Sequence, residues 1–600
     1  MRNGLWKKHY GSEEETEMEA IETVNRITLL VCAAVIGAAV YFQVANNKKQ
    51  SGKGKKQKQK KSQKTVVAEP DVKRQKQLEW GIFAALMLLA LGVRAWQFGS
   101  IPGGMNQDGA MAAVDAKALA DYATDRYGMH MPVHFTAWGY GQMSVLLSYL
   151  MVPFIKLFGL SAVTARLPML LVSLCGMAAA YFLFRRLFGV RAGQIVLAFL
   201  IFNPWHFMQS RWALDCNVFP HMFLLGVFFM LKGIADKKRY LFISMVFYAL
   251  CMYSYGISFY TVPVFLLAIC IYMLVKKVIG WKEAGISAGV YALVSWPIYT
   301  TMALNTLRLK TIETPFFTMP FFPDSVRSQD ILFFADDKWE QLGTNIKAMM
   351  SVILEGDTLP WNTIPGFGTI YTCFLLFVPV GIYYAVHVYR KEKDLIKRTG
   401  CLSLLFFFGI GILAGILTAS VNVNRINIMM YPMILFAAMG IYFVYESRKK
   451  LALVLVPVYL LLGVMFVNQY FTDYAESIRY SFFDGFIEAV QDLEESSNCQ
   501  VYCITPDSQY QGSYHVSEIL TLFALQLDAK YYQGETEGDE IPYANKFYYC
   551  NASQTQVDAS SGVGYVVSTG ELGLFPESDY HIELHDNFGT VIPLNCYKGE

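Results

Sequence analysis

Residues 163–191 read VTARLPMLLVSLCGMAAAYFLFRRLFGVR, and no charged side chain falls between Arg166 and Arg185. A helix needs about 20 predominantly apolar residues to cross the hydrocarbon of a bilayer, so this run is long enough to span one. Arg185, Arg186 and Arg191 follow at once, and Lys and Arg in short loops concentrate on the cytoplasmic side. The run reads as a membrane span whose C-terminal end faces the cytoplasm, and the other spans take their direction from it.

Eleven more runs qualify, at about 27–46, 80–98, 193–209, 218–232, 240–256, 259–275, 284–303, 369–387, 399–418, 426–445 and 451–468. Composition agrees, with 54% hydrophobic and only 16% charged residues, against about 25% charged in soluble proteins. In this register the basic loops share the side of Arg185: Lys232 to Arg239, Lys276 to Lys282, Arg390 to Arg398, Arg448 to Lys450, and residues 48–64 with nine Lys and no acid. The opposite side receives the N-terminus, residues 99–162, 210–217, 304–368 and 419–425, and the tail from 470. That tail holds 21 Asp plus Glu against four Lys plus Arg, a sign difference independent of the basic loops. Residues 142–159 are apolar enough to cross, but a span there would invert every later basic loop. They are expected to form an amphipathic or partly inserted helix in the first outer loop.

The expected fold is a polytopic α-helical membrane protein of about twelve transmembrane helices with a small extracytoplasmic α/β C-terminal domain. Three regions follow: 1–79, an extra span plus a Lys-rich cytoplasmic linker; 80–469, the membrane domain; and 470–600, the outer domain. The linker, Lys48 to about Gln77, is too charged to bury a core and is expected to be disordered. Its lysines suit the anionic lipids of the inner leaflet; no folded reader accompanies them, so nucleic acid is not an expected partner. The first apolar run starts near Ile27 after the acidic stretch Glu13 to Glu22, unlike the basic lead of a cleavable signal. In the tail, Phe482, Phe483, Phe486, Ile487, Val490 and Leu493 recur at helical spacing, while 501–505, 547–550 and 564–568 read as strands. Eleven cysteines form no metal-like CxxC pair. Seven lie in or near apolar spans; Cys499, Cys503, Cys550 and Cys596 lie in the tail, where an oxidising compartment allows one or two disulfides. Asn551-Ala552-Ser553 would accept a glycan only in an endoplasmic setting.

Within the spans the ionisable residues singled out, Arg166, His206 and His221, lie near outer ends. Ion-coupled carriers place such groups near the membrane midplane. Here the polar candidates gather on outer loops: Asn106-Gln107-Asp108-Gly109, Val114-Asp115-Ala116, Asp125-Arg126-Tyr127-Gly128 and Ala165-Arg166-Leu167-Pro168, then Ser210-Arg211-Trp212-Ala213-Leu214-Asp215, Trp361 to Gly368, and Val421-Asn422-Val423-Asn424-Arg425-Ile426-Asn427. This favours an enzyme working at the outer surface. The rival is a lipid-linked glycan transporter or flippase, which would need a polar path through the bundle; a non-catalytic scaffold is a second rival.

The order of these motifs over about 80–470 resembles the C-fold membrane glycosyltransferases that use lipid-phosphate sugars, the protein O-mannosyltransferase and aminoarabinose transferase superfamily (glycosyltransferase family 39-like). An acid early in the first outer loop, Arg-Leu-Pro closing it, and Ser-Arg followed by Asp in the second carry the resemblance. It implies transfer of a sugar from a polyprenyl monophosphate to an acceptor outside the cell, with Asp108 as catalytic base. The family shows Asp-Glu at the first site, where this chain has Asp108-Gly109, leaving Asp115 or Asp125 as partner acid. An N-cap on a helix 109–123 is the structural alternative for Asp108, and a solvated acid that for Asp115. Asp215 is expected either to orient the first loop or the acceptor, or to pair with Arg211. Arg425 and Asn424, with Arg166 and Arg211, are the candidates for holding the donor; Arg425 suits phosphate but equally suits interfacial anchoring. No metal ligands are assigned: His206 and His221 lack a clear third partner, and dependence on a divalent metal stays open. The expected partners are the lipid-linked donor, an extracytoplasmic acceptor (protein hydroxyl, glycolipid or cell-wall polymer) and membrane lipids, and the expected location is the cell membrane.

Overall fold

A computed structural model describes residues 12–53, 69–138, 141–323, 332, 337–505 and 514–599. Eleven of the twelve expected spans each fall on one helix and the twelfth, 193–209, on two: α1 (Ser12–Lys53), α2 (Glu69–Ala95), then, beyond two helices of the first outer loop, α3 (Gln107–Tyr122) and α4 (Leu146–Phe158), α5 (Ala162–Phe188), α6 (Val190–Ile201), α7 (Pro204–Gln209), α8 (Asp215–Ala235), α9 (Arg239–Cys251), α10 (Ser258–Val275), α11 (Trp281–Leu307), a loop helix α12 (Lys338–Glu355), α13 (Thr372–Lys391), α14 (Leu395–Leu417), α15 (Val423–Ser447) and α16 (Lys449–Phe471). Among the described residues nine helices are long and apolar enough to cross a membrane. α6 and α9 have only 12 and 13 residues, and α11 carries a more polar mixture over its 27.

The expected span 193–209 is broken. α6 stops at Ile201, and α7 restarts at Pro204 with Asn203 as its cap, the Asn203 Oδ1 accepting from the His206 amide at 3.1 Å. The reason is local. Proline lacks an amide donor and pushes the residue before it out of the helical region, while Asn followed by Pro is an efficient helix start. The freed carbonyl of Phe202 accepts from the Tyr371 hydroxyl, 2.5 Å away. The 142–159 segment is the amphipathic helix α4, whose Leu146, Leu147, Met151 and Ile155 are buried while Leu157 and Phe158 are exposed. The ends of the Lys-rich linker are helical rather than disordered, since α1 runs to Lys53 and α2 starts at Glu69; the stretch between them lies outside the described residues.

α15 is the most enclosed span. It is met closely by α13, because a Cβ on Gly381 would stand 1.9 Å from the Phe436 carbonyl oxygen and one on Gly440 would stand 2.3 Å from that of Phe377. Small residues at crossings are what let helix backbones approach within lipid. The loops gather at two ends of the helices. At the basic end Arg185 pairs with Glu79, Arg186 with Asp236 at 3.3 Å, and Arg448 lies over the Phe42 ring. At the other end the Asn25 amide donates to the Gly366 carbonyl, the Val133 amide to that of Thr318 and the Met105 amide to that of Phe482. α1 therefore runs from one end to the other.

The tail forms a mixed sheet. The four short strands before it are β1 (Phe135–Ala137), β2 (Gly141–Met143), β3 (Ile312–Glu313) and β4 (Thr318–Met319), in two small hairpins. The five-stranded sheet uses β5 (Val501–Ile504), β6 (Phe547–Tyr549), β7 (Val563–Ser568), β8 (Tyr580–His585) and β9 (Phe588–Pro593) in the order β6-β5-β7-β9-β8. β5 is parallel to β6 and β7, and β9 is antiparallel to both β7 and β8. The three expected strands are present; the β8–β9 hairpin went unread. Of the expected stripe, α17 (Phe486–Ser496) buries Phe486, Val490 and Leu493 and half-buries Ile487, while Phe482 and Phe483 lie in the turn before it; α18 (Tyr514–Ala524) packs against both α17 and α3. The tail's inner core is continuous with that of the helices, Val490, Val566 and Ile592 belonging to the same apolar cluster as Met430 and Leu435. The four tail cysteines are free thiols, with Cys503 Sγ 2.9 Å from Cys550 Sγ.

Candidate active site where four loops meet

Asn106, not Asp108, caps α3. Its side-chain oxygen accepts from the Asp108 amide at 3.0 Å, and the helix begins at Gln107. Asp108 sits inside the first turn, where the helix dipole favours an anion. The expected alternative of a cap on 109–123 is thereby corrected: the Asn before it takes that duty.

The start of α3 lies directly on the 210–217 turn, a Cβ on Gly109 standing 2.8 Å from the Ala213 carbonyl oxygen. Asp215 opens α8, and the carboxylates of Asp108 and Asp215 both lie within electrostatic reach of the Cys216 thiol. Asn427 of α15 binds the same turn, its amide donating to the Cys216 carbonyl at 3.1 Å and to Asn217 Oδ1 at 3.0 Å. The Asn427 oxygen accepts from Trp205 Nε1 and Gln209 Nε2, both at 2.8 Å. Asn427 thus stitches α7, α8 and α15 together.

The first turn of α15 carries Asn424 and Arg425. Asn422 caps it, accepting from the Arg425 amide at 3.1 Å, and the backbone kinks at Ile426. Arg425 is half-buried and donates to the Ala419 carbonyl at 2.6 Å. The side-chain oxygen of Asn424 is buried with no hydrogen-bond partner among the described residues. The fourth loop brings Asp357, whose carboxylate accepts from the Val423 amide and the Asn362 side chain, and Trp361, whose ring meets that of Trp212 with centroids 6.3 Å apart. The indole nitrogens of Trp212 and Trp361 are buried without a partner among the described residues.

The other predicted residues are placed differently. Asp115 is buried and paired with Arg126, Oδ2 to Nη1 at 2.5 Å, and Oδ1 accepts from the Arg126 amide. Burial pushes its carboxyl up against the pull of that guanidinium. Asp125 closes a turn, accepting from the amides of Tyr127 and Met129. Arg166 is buried and donates to the carbonyls of Phe98, Gly99, Pro102 and Gly104. Arg211 donates to the carbonyls of Arg94, Gln97 and Ile101 and to the Tyr470 hydroxyl. The two arginines fasten the turn that leads into Asp108, and Arg211 spends its nitrogens there rather than on Asp215. Arg94, inside the expected span 80–98, is a buried charge that the spans' polar residues should have included. It donates to the Ile201 and Leu200 carbonyls and to His206 Nδ1 at 3.1 Å. His206 Nε2 and His221 Nδ1 both bond the Tyr431 hydroxyl, at 2.9 and 2.8 Å, which leaves one nitrogen of the pair outside the chain. No group of three His, Cys, Asp or Glu close enough to hold a metal occurs among the described residues.

Residues 143–299 match the family described as dolichyl-phosphate-mannose-protein mannosyltransferase. No curated protein matches the chain by sequence. Among solved structures, ArnT from Cupriavidus metallidurans bound to undecaprenyl phosphate aligns with a TM-score of 0.50 at 14% identity, over 85% of this chain and 98% of that one. The Archaeoglobus fulgidus oligosaccharyltransferase in its apo form aligns with a TM-score of 0.49 at 13% identity, over 86% of this chain and 75% of that one. The chain thus has the fold of the first over most of its length and matches the mannosyltransferase family over residues 143–299, both in keeping with the C-fold glycosyltransferase resemblance of its outer loops.

Proposed function

We propose that the chain moves a sugar, with inversion, from a polyprenyl monophosphate to an acceptor hydroxyl on the extracytoplasmic side, with Asp108 as the base. The acceptor oxygen bonds the anomeric carbon, its proton passes to the Asp108 carboxylate, and the bond from that carbon to the phosphate oxygen breaks. The lipid phosphate leaves with the electron pair and needs positive charge or donors rather than a strong acid. Arg425 and Asn424 supply these from the first turn of α15. Asp215 orients the acceptor or the first loop. Arg166 and Arg211 act as positioning residues, holding the 98–104 turn. The acceptor class stays as broad as the sequence leaves it: protein hydroxyl, glycolipid or cell-wall polymer. The undecaprenyl phosphate named for the ArnT structure supports a polyprenyl donor.

The observation that carries this reading is Asp108 in the first turn of α3, capped by Asn106 and packed on the 210–217 turn that carries Asp215 and is bonded by Asn427 of α15. The test is Asp108→Asn in membranes supplied with radiolabelled polyprenyl-phosphate sugar. The cap belongs to Asn106, so folding should persist. An amide cannot take the proton, and turnover should fall by about 10²–10⁴. Near-normal turnover would remove Asp108 as the base.

A further inference from the structure

We propose that a cleft between the first outer loop and the tail binds the non-reacting sugars of a neutral oligosaccharide acceptor. This deepens the transfer reading by naming an acceptor class, and it rests on that reading for its role but not for the binding itself.

The cleft measures about 460 Å³ and is lined by Tyr127 of the first loop and by Glu518, Tyr532, Gln533 and Tyr543 of the tail. That volume lies in the range of small-ligand sites. Its walls come from two parts of the chain that meet there, the Gln533 amide donating to the Arg126 carbonyl at 3.1 Å and the rings of Tyr127 and Tyr532 lying 6.1 Å apart. Tyrosine offers a large rigid contact area and a polar tip at low entropic cost. That suits a sugar ring, with a C–H face to lie on an aromatic and hydroxyls around its edge.

The polar partner is Glu518. Its nearest donors are His515 Nδ1 at 3.6 Å and the Tyr543 hydroxyl at 3.4 Å, both longer than the 2.7–3.0 Å of a good bond to a carboxylate. The Glu518 side chain is only 15% exposed. Burial pushes its carboxyl up, and His515 and Arg126 pull it back only in part. A half-buried carboxylate with slack donors is suited to accept from ligand hydroxyls.

Charge selects among ligands. Among the described residues Glu518 is the one formally charged side chain lining the cleft, so an anionic glycan is disfavoured. A quaternary ammonium would seek the tyrosine faces, but the Arg126 guanidinium already lies over the Tyr127 ring, 4.6 Å from its centroid, with its charge balanced by Asp115. A neutral polyol is what remains.

Position gives the role. The cleft's Gln533 binds the Arg126 carbonyl, and Arg126 pairs with Asp115 of α3; Asp115 lies about 10 Å from Asp108 along the helix axis at 1.5 Å per residue. An acceptor reaching from the cleft to Asp108 has more than one sugar unit.

The test uses the full chain in lipid nanodiscs, with calorimetry and saturation-transfer NMR against mannotriose, chitotriose and cellotriose, and with choline and trigalacturonate as charged controls. At least one neutral trisaccharide should bind. Tyr532→Ala and Glu518→Gln should each weaken it 10-fold or more, while Tyr532→Phe, which keeps the ring, stays within about 3-fold; melting curves identify any variant that fails to fold, and Glu518→Gln then decides. Binding by none of the three, binding untouched by Glu518→Gln, or Tyr532-dependent binding of choline or trigalacturonate instead, overturns the proposal. Failure of the transfer reading is separate: it shows as turnover retained in Asp108→Asn, which this assay does not use.

Discussion

The Asp357 carboxylate accepts the Val423 amide at 2.7 Å, tying the second large loop to the first turn of the helix that carries Asn424 and Arg425. The same oxygen takes the Asn362 amide at 2.8 Å, and the other oxygen takes the amides of Thr358 and Leu359. One carboxylate thus holds a loop and a helix N-terminus together, where its charge also favours the dipole.

Asp357→Ala should cost about 1–3 kcal/mol through donors left unsatisfied and should loosen the Arg425 turn. The expected signature is a several-fold higher KM for lipid-phosphate sugar, with a smaller loss in kcat. Unchanged donor KM alongside a lowered melting point would confine Asp357 to stability.

Asp115 and Arg126 give the opposite case. Removing one member of a buried ion pair leaves the other uncompensated, at a cost of about 3–5 kcal/mol. Asp115→Asn should therefore lower the melting temperature clearly, and Asp115→Leu with Arg126→Met should recover much of the loss. Turnover per folded molecule should stay near normal in the double variant. A collapse of turnover with folding restored would return Asp115 to the chemistry.

The spans were legible because apolar length accumulates one residue at a time, without knowledge of the fold. The Asn203-Pro204 break was legible too, but the apolar run across it from Gly193 to Gln209 outweighed the dipeptide. Arg166 and Arg211 were read as donor ligands because an arginine at a span's end suits phosphate; only the fold shows the carbonyls of 94–104 converging on them. Asn106 and Asp108 compete for one cap, and the backbone register that settles it depends on the Met105–Phe482 contact, 377 residues apart in the chain. The β8–β9 hairpin was missed because its turn, Asp586-Asn587, with Asp586 at φ 51°, lies in a run too polar to stand out.

Sidedness has its own measurement. In a chain whose four tail cysteines are Ser, Ser560→Cys should react with an impermeant maleimide on intact cells and Lys237→Cys should not; both positions are exposed. In the natural chain the nearness of Cys503 and Cys550, with Sγ atoms 2.9 Å apart, makes them an oxidisable pair in an outer compartment. They should resist alkylation until a reductant is added. Labelling of Lys237→Cys alone would reverse the topology and every site assignment built on it.

Arg425 separates anchoring from recognition. The residue donates to the Ala419 carbonyl through Nη1, and its guanidinium has further donors in a planar fork. A fork meets two phosphate oxygens at once, whereas an ammonium acts as a compact point charge. Anchoring at a membrane interface, by contrast, is served nearly as well by Lys as by Arg. Arg425→Lys keeps the charge and the position and removes only the fork. If Arg425 clamps the donor phosphate, the KM for polyprenyl-phosphate sugar should rise about 10-fold, the size of one charge-assisted bond of ~1.5 kcal/mol, with kcat changed less. Product inhibition by free polyprenyl phosphate should weaken in step, because the same phosphate occupies the site after transfer. Wild-type KM and wild-type product inhibition in Arg425→Lys would assign the residue to anchoring and shift the phosphate contact to Asn424 and the backbone donors of the α15 N-terminus.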